Sequence, residues 1–179
     1  LEDIEVLRGP QGTLFGRNTP GGIIKFDSKK PTDEFDAYAK LAYGSYNTTE
    51  FEGAVGGRVD KALAVRASML YQYRDDYVDN GFTGQKDAYE GFNELAGRIQ
   101  LLFTPFDNDF SALLNVHGRN NNSSARLFRA NIIDAGKTGL GSNWDRDTVY
   151  FDGKNGLSQD AWGTTLTVKK AVNDAVDLT

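Results

Sequence analysis

The sequence predicts an all-β chain and, within that class, part of a transmembrane antiparallel β-barrel. Three observations lead there. Apolar and polar residues alternate with a period of two from Phe35 onward, residues 62–74 keep that alternation beyond ordinary strand length, and short connections alternate with long ones. A strand that crosses a bilayer at a tilt takes about 9 to 11 residues, whereas globular strands average about 5 or 6.

The strands read in order as follows. In "TEFEGAVGGRV", Phe51, Val55 and Val59 share one face while Glu50, Glu52 and Arg58 share the other. In "ALAVRASMLYQYR", Leu63, Val65, Ala67, Met69, Tyr71 and Tyr73 oppose Arg66, Ser68, Gln72 and Arg74. "ELAGRIQLLF" sets Leu95, Ile99, Leu101 and Phe103 against Glu94, Arg98 and Gln100. "DFSALLNVHG" sets Phe110, Ala112, Leu114 and Val116 against Ser111, Asn115 and His117. In a soluble sandwich the polar face would meet solvent; in a barrel it would line the lumen and the oily face would meet lipid. Alternation alone leaves both open, and length and connections favour the barrel.

"VDKA", "TPFDND" and "AVNDA" are tight turns built from Asp, Asn and Pro. Between them lie "DDYVDNGFTGQKDAYEGFN" and a long segment over residues 120–161. A meandering barrel has this asymmetry, with short turns on the periplasmic rim and long loops outside. The first outer connection, "GSYNTT", is short. The long segment carries Arg126, Phe128, Arg129, Trp144, Arg146, Tyr150, Phe151 and Trp162 among Gly, Asn and Asp. Structureless loops beyond about 12 to 15 residues are usually either functional or disordered. Arg126, Phe128, Arg129, Trp144 and Tyr150 are the candidate ligand contacts; a solvated loop with a small hairpin in it is the alternative.

Composition narrows the function classes. A net charge of -5 without clustered Lys and Arg disfavours nucleic acid. With zero Cys there are no disulfides or thiolate metal sites, and the single His117 has no second His to share a metal, so no cofactor or metal is expected. His117 falls on a polar strand face. No stretch approaches the roughly 18 consecutive apolar residues of a membrane helix, a test that barrels escape because their signal is dyadic. The 20 Gly and 12% aromatics suit barrel turns and interfacial girdles. The start at Leu1 without Met and the stop at "AVDLT" read as a piece of a longer protein.

The opening stretch, "IEVLRGPQGTLFGRNTPGGIIKFDSKKP", is glycine-rich enough to suggest a phosphate cradle. Its spacing fails: Gly9, Gly12 and Gly16 give G-x-x-G-x-x-x-G, with no Lys-Ser or Lys-Thr after them. Gly136, Lys137 and Thr138 look like the end of a P-loop, but Asn131 stands where its first glycine belongs.

That stretch resembles the carboxy-terminal part of the plug domain of TonB-dependent outer-membrane receptors. The shared features are a hydrophobic strand, R-G-P-x-G, an aromatic before G-R-N, then G-G and K-K-P. "AYGSYNTTEFEGAVGG" is similar to the family's first barrel hairpin. The resemblance implies the end of a plug over residues 1–33 and about seven strands over 34–179, from a plugged barrel of about twenty-two. "IEVLR" and "GGIIKFDS" would be plug strands joined by a turn or short helix around "PQGTLFG". Gly9, Gly12, Gly16, Gly21 and Gly22 would supply positive φ and close backbone approach, with Pro10 and Pro20 fixing the corners. By resemblance, Arg8 and Arg17 correspond to plug arginines that pair with barrel-wall glutamates; capping turns on a polar plug surface is the alternative.

The family implies a receptor of the Gram-negative outer membrane that imports a scarce nutrient, most often a ferric siderophore or other iron complex. Its partners would be the energy-coupling protein TonB, the small-molecule ligand and membrane lipid, with no nucleic acid, no cofactor and no catalytic residue. The alternatives are a soluble carbohydrate-binding β-sandwich, a passive barrel without a plug, or the same family importing a glycan or vitamin. An enzyme is disfavoured, because no pair of carboxylates and no Ser-His-Asp order stands out. The face assignment predicts that arginine at Leu101 or Val65 blocks membrane assembly, whereas arginine at Gln100 is tolerated.

Overall fold

The computed structural model describes residues 2–105, 109–124, 126, 132–141, 144–153, 155–173 and 176–178. At its start, β1 (Asp3–Arg8) and β2 (Gly22–Asp27) pair antiparallel, with α1 (Gly12–Phe15) between them, the arrangement that the resemblance implied for "IEVLR", "PQGTLFG" and "GGIIKFDS". Gly22 fits this hairpin because nothing else can: its φ is 122°, and a Cβ there would lie 2.3 Å from the Leu7 carbonyl oxygen. Gly9 and Gly16 also adopt positive φ. Gly12 and Gly21 do not. Gly12 belongs to α1, and neither has an atom within 4 Å of an added Cβ; positive φ occurs at three of the five glycines and close backbone approach at Gly22 alone.

The remaining strands are β3 (Asp36–Tyr43), β4 (Thr49–Asp60), β5 (Leu63–Arg74), β6 (Val78–Asn80), β7 (Gln85–Tyr89), β8 (Phe92–Phe103), β9 (Phe110–Ser124), β10 (Thr148–Val149), β11 (Gly156–Asn173) and β12 (Val176–Leu178). Seven of them form one meandering sheet in the order β12-β11-β9-β8-β5-β4-β3, every neighbour antiparallel. β4, β5 and β8 run 12 residues each, β9 runs 15 and β11 runs 18, enough to cross a bilayer. Connections at one end are short, with Lys61 and Ala62 joining β4 to β5 and residues 104–109 joining β8 to β9. Of the turn expected in "AVNDA", residues 174 and 175 lie outside the described residues.

At the opposite end, β3 joins β4 through a turn in which Tyr46 and Asn47 both have positive φ, 58° and 54°, and the Thr48 amide donates to the Ser45 carbonyl. Two successive left-handed residues make a type I′ turn, whose twist suits a hairpin. The long segment is shorter than expected. Residues 120–124 continue β9 and residues 156–161 begin β11, so Trp162 is a strand residue on the apolar face and no part of a loop. The reason is side-chain pairing across the ladder: Asn120 Nδ2 donates to Asp160 at 2.5 Å, and Ser158 Oγ to Asn122 Oδ1 at 2.8 Å.

Register separates the two faces. Val65, Leu101, Leu114 and Leu166 stand opposite one another in one row; Arg66, Gln100, Asn115 and Thr165 occupy the next. The apolar face looks outward, with Val65, Leu101 and Leu114 half-buried among their neighbours and Ile99 54% and Leu166 62% exposed. The polar face instead carries residues 28–35: Pro31 is buried, Lys29 pairs with Asp36, and Arg58 pairs with Asp33. Among the described residues no second sheet stacks on the seven-stranded one. A sandwich would bury the apolar face, so that alternative is not favoured; hydrocarbon is the solvent that suits it. Gln100 needs a correction. It is 5% exposed and directly opposite the buried Arg66, so an arginine there would be packed against another guanidinium.

Candidate functional site

Two regions gather the polar chemistry. The first is the lumenal wall. Arg66 is 6% exposed, and a buried guanidinium is costly unless paired. Its Nη1 donates to Asp36 Oδ2 at 2.7 Å, where Lys29 Nζ also donates at 2.8 Å. Arg119 holds Glu94 with two bonds, Nε to Oε1 at 2.8 Å and Nη2 to Oε2 at 2.9 Å. The Tyr38 hydroxyl donates to Glu52 Oε1 at 2.7 Å, and Arg98 donates to Ser28 Oγ. A cavity of about 510 Å³ opens among Lys29, Arg66, Arg98, Gln100, His117 and Arg119. His117 lies on this polar face as expected, its ring over Gly163, where a Cβ would be 2.7 Å from Nε2.

The second region is the outer rim, where the connections touch one another. Tyr46 of the first turn stacks on Tyr77, ring centroids 4.2 Å apart, and Arg74 lies over Tyr77 and Phe92 at 5.2 and 4.8 Å. Asp75 accepts from the Tyr73 hydroxyl and from Asn47 Nδ2, both at 2.5 Å, and these bonds, that of Tyr73 first, hold its carboxyl below the usual range. β6 and β7 form a hairpin inside residues 75–91, and β10 adds to β6 in parallel. Val78, Tyr89 and Val149 make a small buried core beneath this sheet. Beside it Asn80, 2% exposed, donates from Nδ2 to the Tyr89 hydroxyl at 2.9 Å and to the Phe151 carbonyl at 2.8 Å. Its Oδ1 accepts from the amides of Phe82, Thr83 and Phe151 at 3.0, 3.3 and 3.4 Å.

Of the expected contact residues, Tyr150 is 77% exposed against Gly81, and Trp144 is 37% exposed with its amide on the Gly141 carbonyl. Arg126 is exposed. Phe128 and Arg129 lie outside the described residues. Arg8 and Arg17 are exposed in the leading segment, and neither forms an ion pair among the described residues. Asn80, Tyr46 and Tyr77 went unread in the sequence. A signal existed for the hairpin: Val78 and Tyr89 flank "NGFTGQ", a turn between apolar residues.

The chain matches no protein-family model. It is 39% identical over 100 residues to the ferrioxamine B receptor of Salmonella typhimurium, which covers 55% of this chain and 14% of that protein. It is 30% identical over 108 residues to the pesticin receptor of Yersinia pestis, covering 60% and 16%. It is 34% identical over 94 residues to the ferripyoverdine receptor of Pseudomonas aeruginosa, covering 51% and 11%. Its fold matches the ferric yersiniabactin uptake receptor FyuA of Yersinia pestis with a TM-score of 0.78 and 20% identity, over 95% of this chain and 26% of that one. The chain thus spans less than a fifth of these curated relatives.

A sheet with an exposed apolar face, a charged inner face and one rim of linked loops defines the class: part of the wall and outer loops of an outer-membrane β-barrel. Within that class the chain is similar to the ferrioxamine B, pesticin and ferripyoverdine receptors of Gram-negative bacteria, over part of their length.

Proposed function

We propose that the protein to which this segment belongs imports a ferric siderophore or another iron complex across the outer membrane, in energised transport coupled to TonB. Residues 1–33 would be the end of the plug and 34–179 the first strands of the barrel. The observation that supports this most is the placement of residues 28–35 on the polar face, because a segment inside the lumen distinguishes a plugged receptor from an open pore. Siderophore-receptor names among the relatives support iron as cargo. Arg126, Phe128, Arg129, Trp144 and Tyr150 are the proposed ligand contacts, and Arg8 and Arg17 the proposed plug tethers. No chemistry is asked of any residue; capture and release suffice.

The test is uptake of radioactive iron by a receptor-deficient Gram-negative strain carrying the full-length gene, with ferrioxamine B, ferric pyoverdine and ferric yersiniabactin offered separately. Uptake of at least one, abolished when TonB is deleted, is expected. Growth on a glycan or vitamin instead, with no iron uptake, would move the cargo to another class.

A further inference from the structure

The two longest outer connections are joined by very little backbone. β10 contributes two residues to the parallel pairing, with the Asp79 amide on the Asp147 carbonyl and the Gly81 amide on the Val149 carbonyl, both at 2.8 Å. So short a pairing has little stability alone. The amide of Asn80 supplies the rest, and each of its ends reaches both connections. Nδ2 serves Tyr89 in one and Phe151 in the other; Oδ1 serves Phe82 and Thr83 in one and Phe151 in the other. At 2% exposure it works out of water, where an unmade bond is expensive.

Two aromatics depend on this junction. Phe82, 66% exposed, follows Asn80 in one connection. Tyr150, 77% exposed, precedes Phe151 in the other, and its ring lies so close over Gly81 that an added Cβ would be 2.6 Å away. We propose that Asn80 is a positioning residue that makes residues 75–91 and 148–151 one rigid unit, and thereby presents Phe82 and Tyr150 together as one aromatic contact surface for the incoming iron chelate. The role in capture rests on the proposed function; the rigid coupling stands on geometry alone.

Hydrogen exchange on the ligand-free, full-length receptor tests the coupling. Asn80→Ala should accelerate exchange over residues 78–83 and 148–151 together, roughly 10- to 100-fold, as expected when buried polar partners lose their bonds. Asn80→Asp, which keeps the acceptor but loses both donors, should fall between. Acceleration confined to residues 78–83, or none, overturns the coupling. Binding of ferrioxamine B, ferric pyoverdine and ferric yersiniabactin tests the consequence. For whichever chelate the wild type binds, Asn80→Ala should weaken Kd about tenfold or more, and cysteines at positions 79 and 148, oxidised in the Asn80→Ala background, should restore it. Gly81→Ala, which displaces the Tyr150 ring, should weaken binding with exchange coupling intact. Unchanged binding alongside coupled loss of protection overturns the positioning role. If the wild type binds none of the three, the cargo assignment fails, while the exchange result still decides the coupling.

Discussion

Gly22 and Gly12 are both glycines of the leading hairpin, but the chain uses them differently. A methyl group at Gly22 meets the Leu7 carbonyl oxygen at 2.3 Å and must hold φ at 122°, so Gly22→Ala should destabilise β1–β2 by more than about 1 kcal/mol. Gly12→Ala, in α1 and in open space, should be neutral or slightly stabilising. Hydrogen exchange over residues 3–8 separates the two: faster in the first, unchanged in the second. A second residue-scale prediction concerns Asp79, whose carboxyl is held below its ordinary value of 3.8 by Lys86 and then by the Asp87 amide. A lowered folded value means that Asp79 stabilises the β6–β7 turn fully above pH 3.8 and loses that contribution as pH falls through the lowered value. A nitroxide at position 82 should therefore gain mobility below about pH 3.8, and Asp79→Asn should remove the dependence. Positive φ falls on only three of the five glycines because a G-rich string states where freedom is available and leaves open where φ is used.

Strand faces were the most legible feature, since a period of two fixes them before any register is known. The faces expected around β5, β8 and β9 are those found, and the meander follows from the turns. The energetic contrast can be measured. Val65→Arg and Leu101→Arg place a charge among lipid chains, at about 2 to 4 kcal/mol near mid-depth, and should block assembly into liposomes. Gln72→Arg is the suitable lumenal counterpart, because Gln72 stands opposite Glu50 and Glu94. It should assemble with wild-type yield; equal yields for all three variants would overturn the face assignment. What the period could not give is where strands end. Asn120, Asn121 and Asn122 have no alternation and low strand propensity, but a ladder that has begun propagates through cross-strand amide and hydroxyl bonds. β9 and β11 consequently outrun the apolar band and carry Asn120 and Asp160 beyond the Trp162 level.

Across the whole chain, residues 28–35 sit against the inner face, the apolar outer face suits lipid, and the first three outer connections are tied in series, Asn47 to Asp75 and Asn80 to Phe151. The exposed aromatics of the rim could be found by composition, as Tyr150 and Trp144 were. The residue that arranges them could not. Asn-Gly in a polar stretch reads as a turn, and only tertiary burial turns Asn80 into a bridge between segments seventy-one positions apart. If Asn80 couples the two connections as proposed, ligand preference passes between such barrels only in pairs of loops. Transplanting residues 75–91 alone onto a related barrel would leave Asn80 with half its partners and Tyr150 without its seat, so a chimaera that transfers new cargo recognition must carry both connections at once.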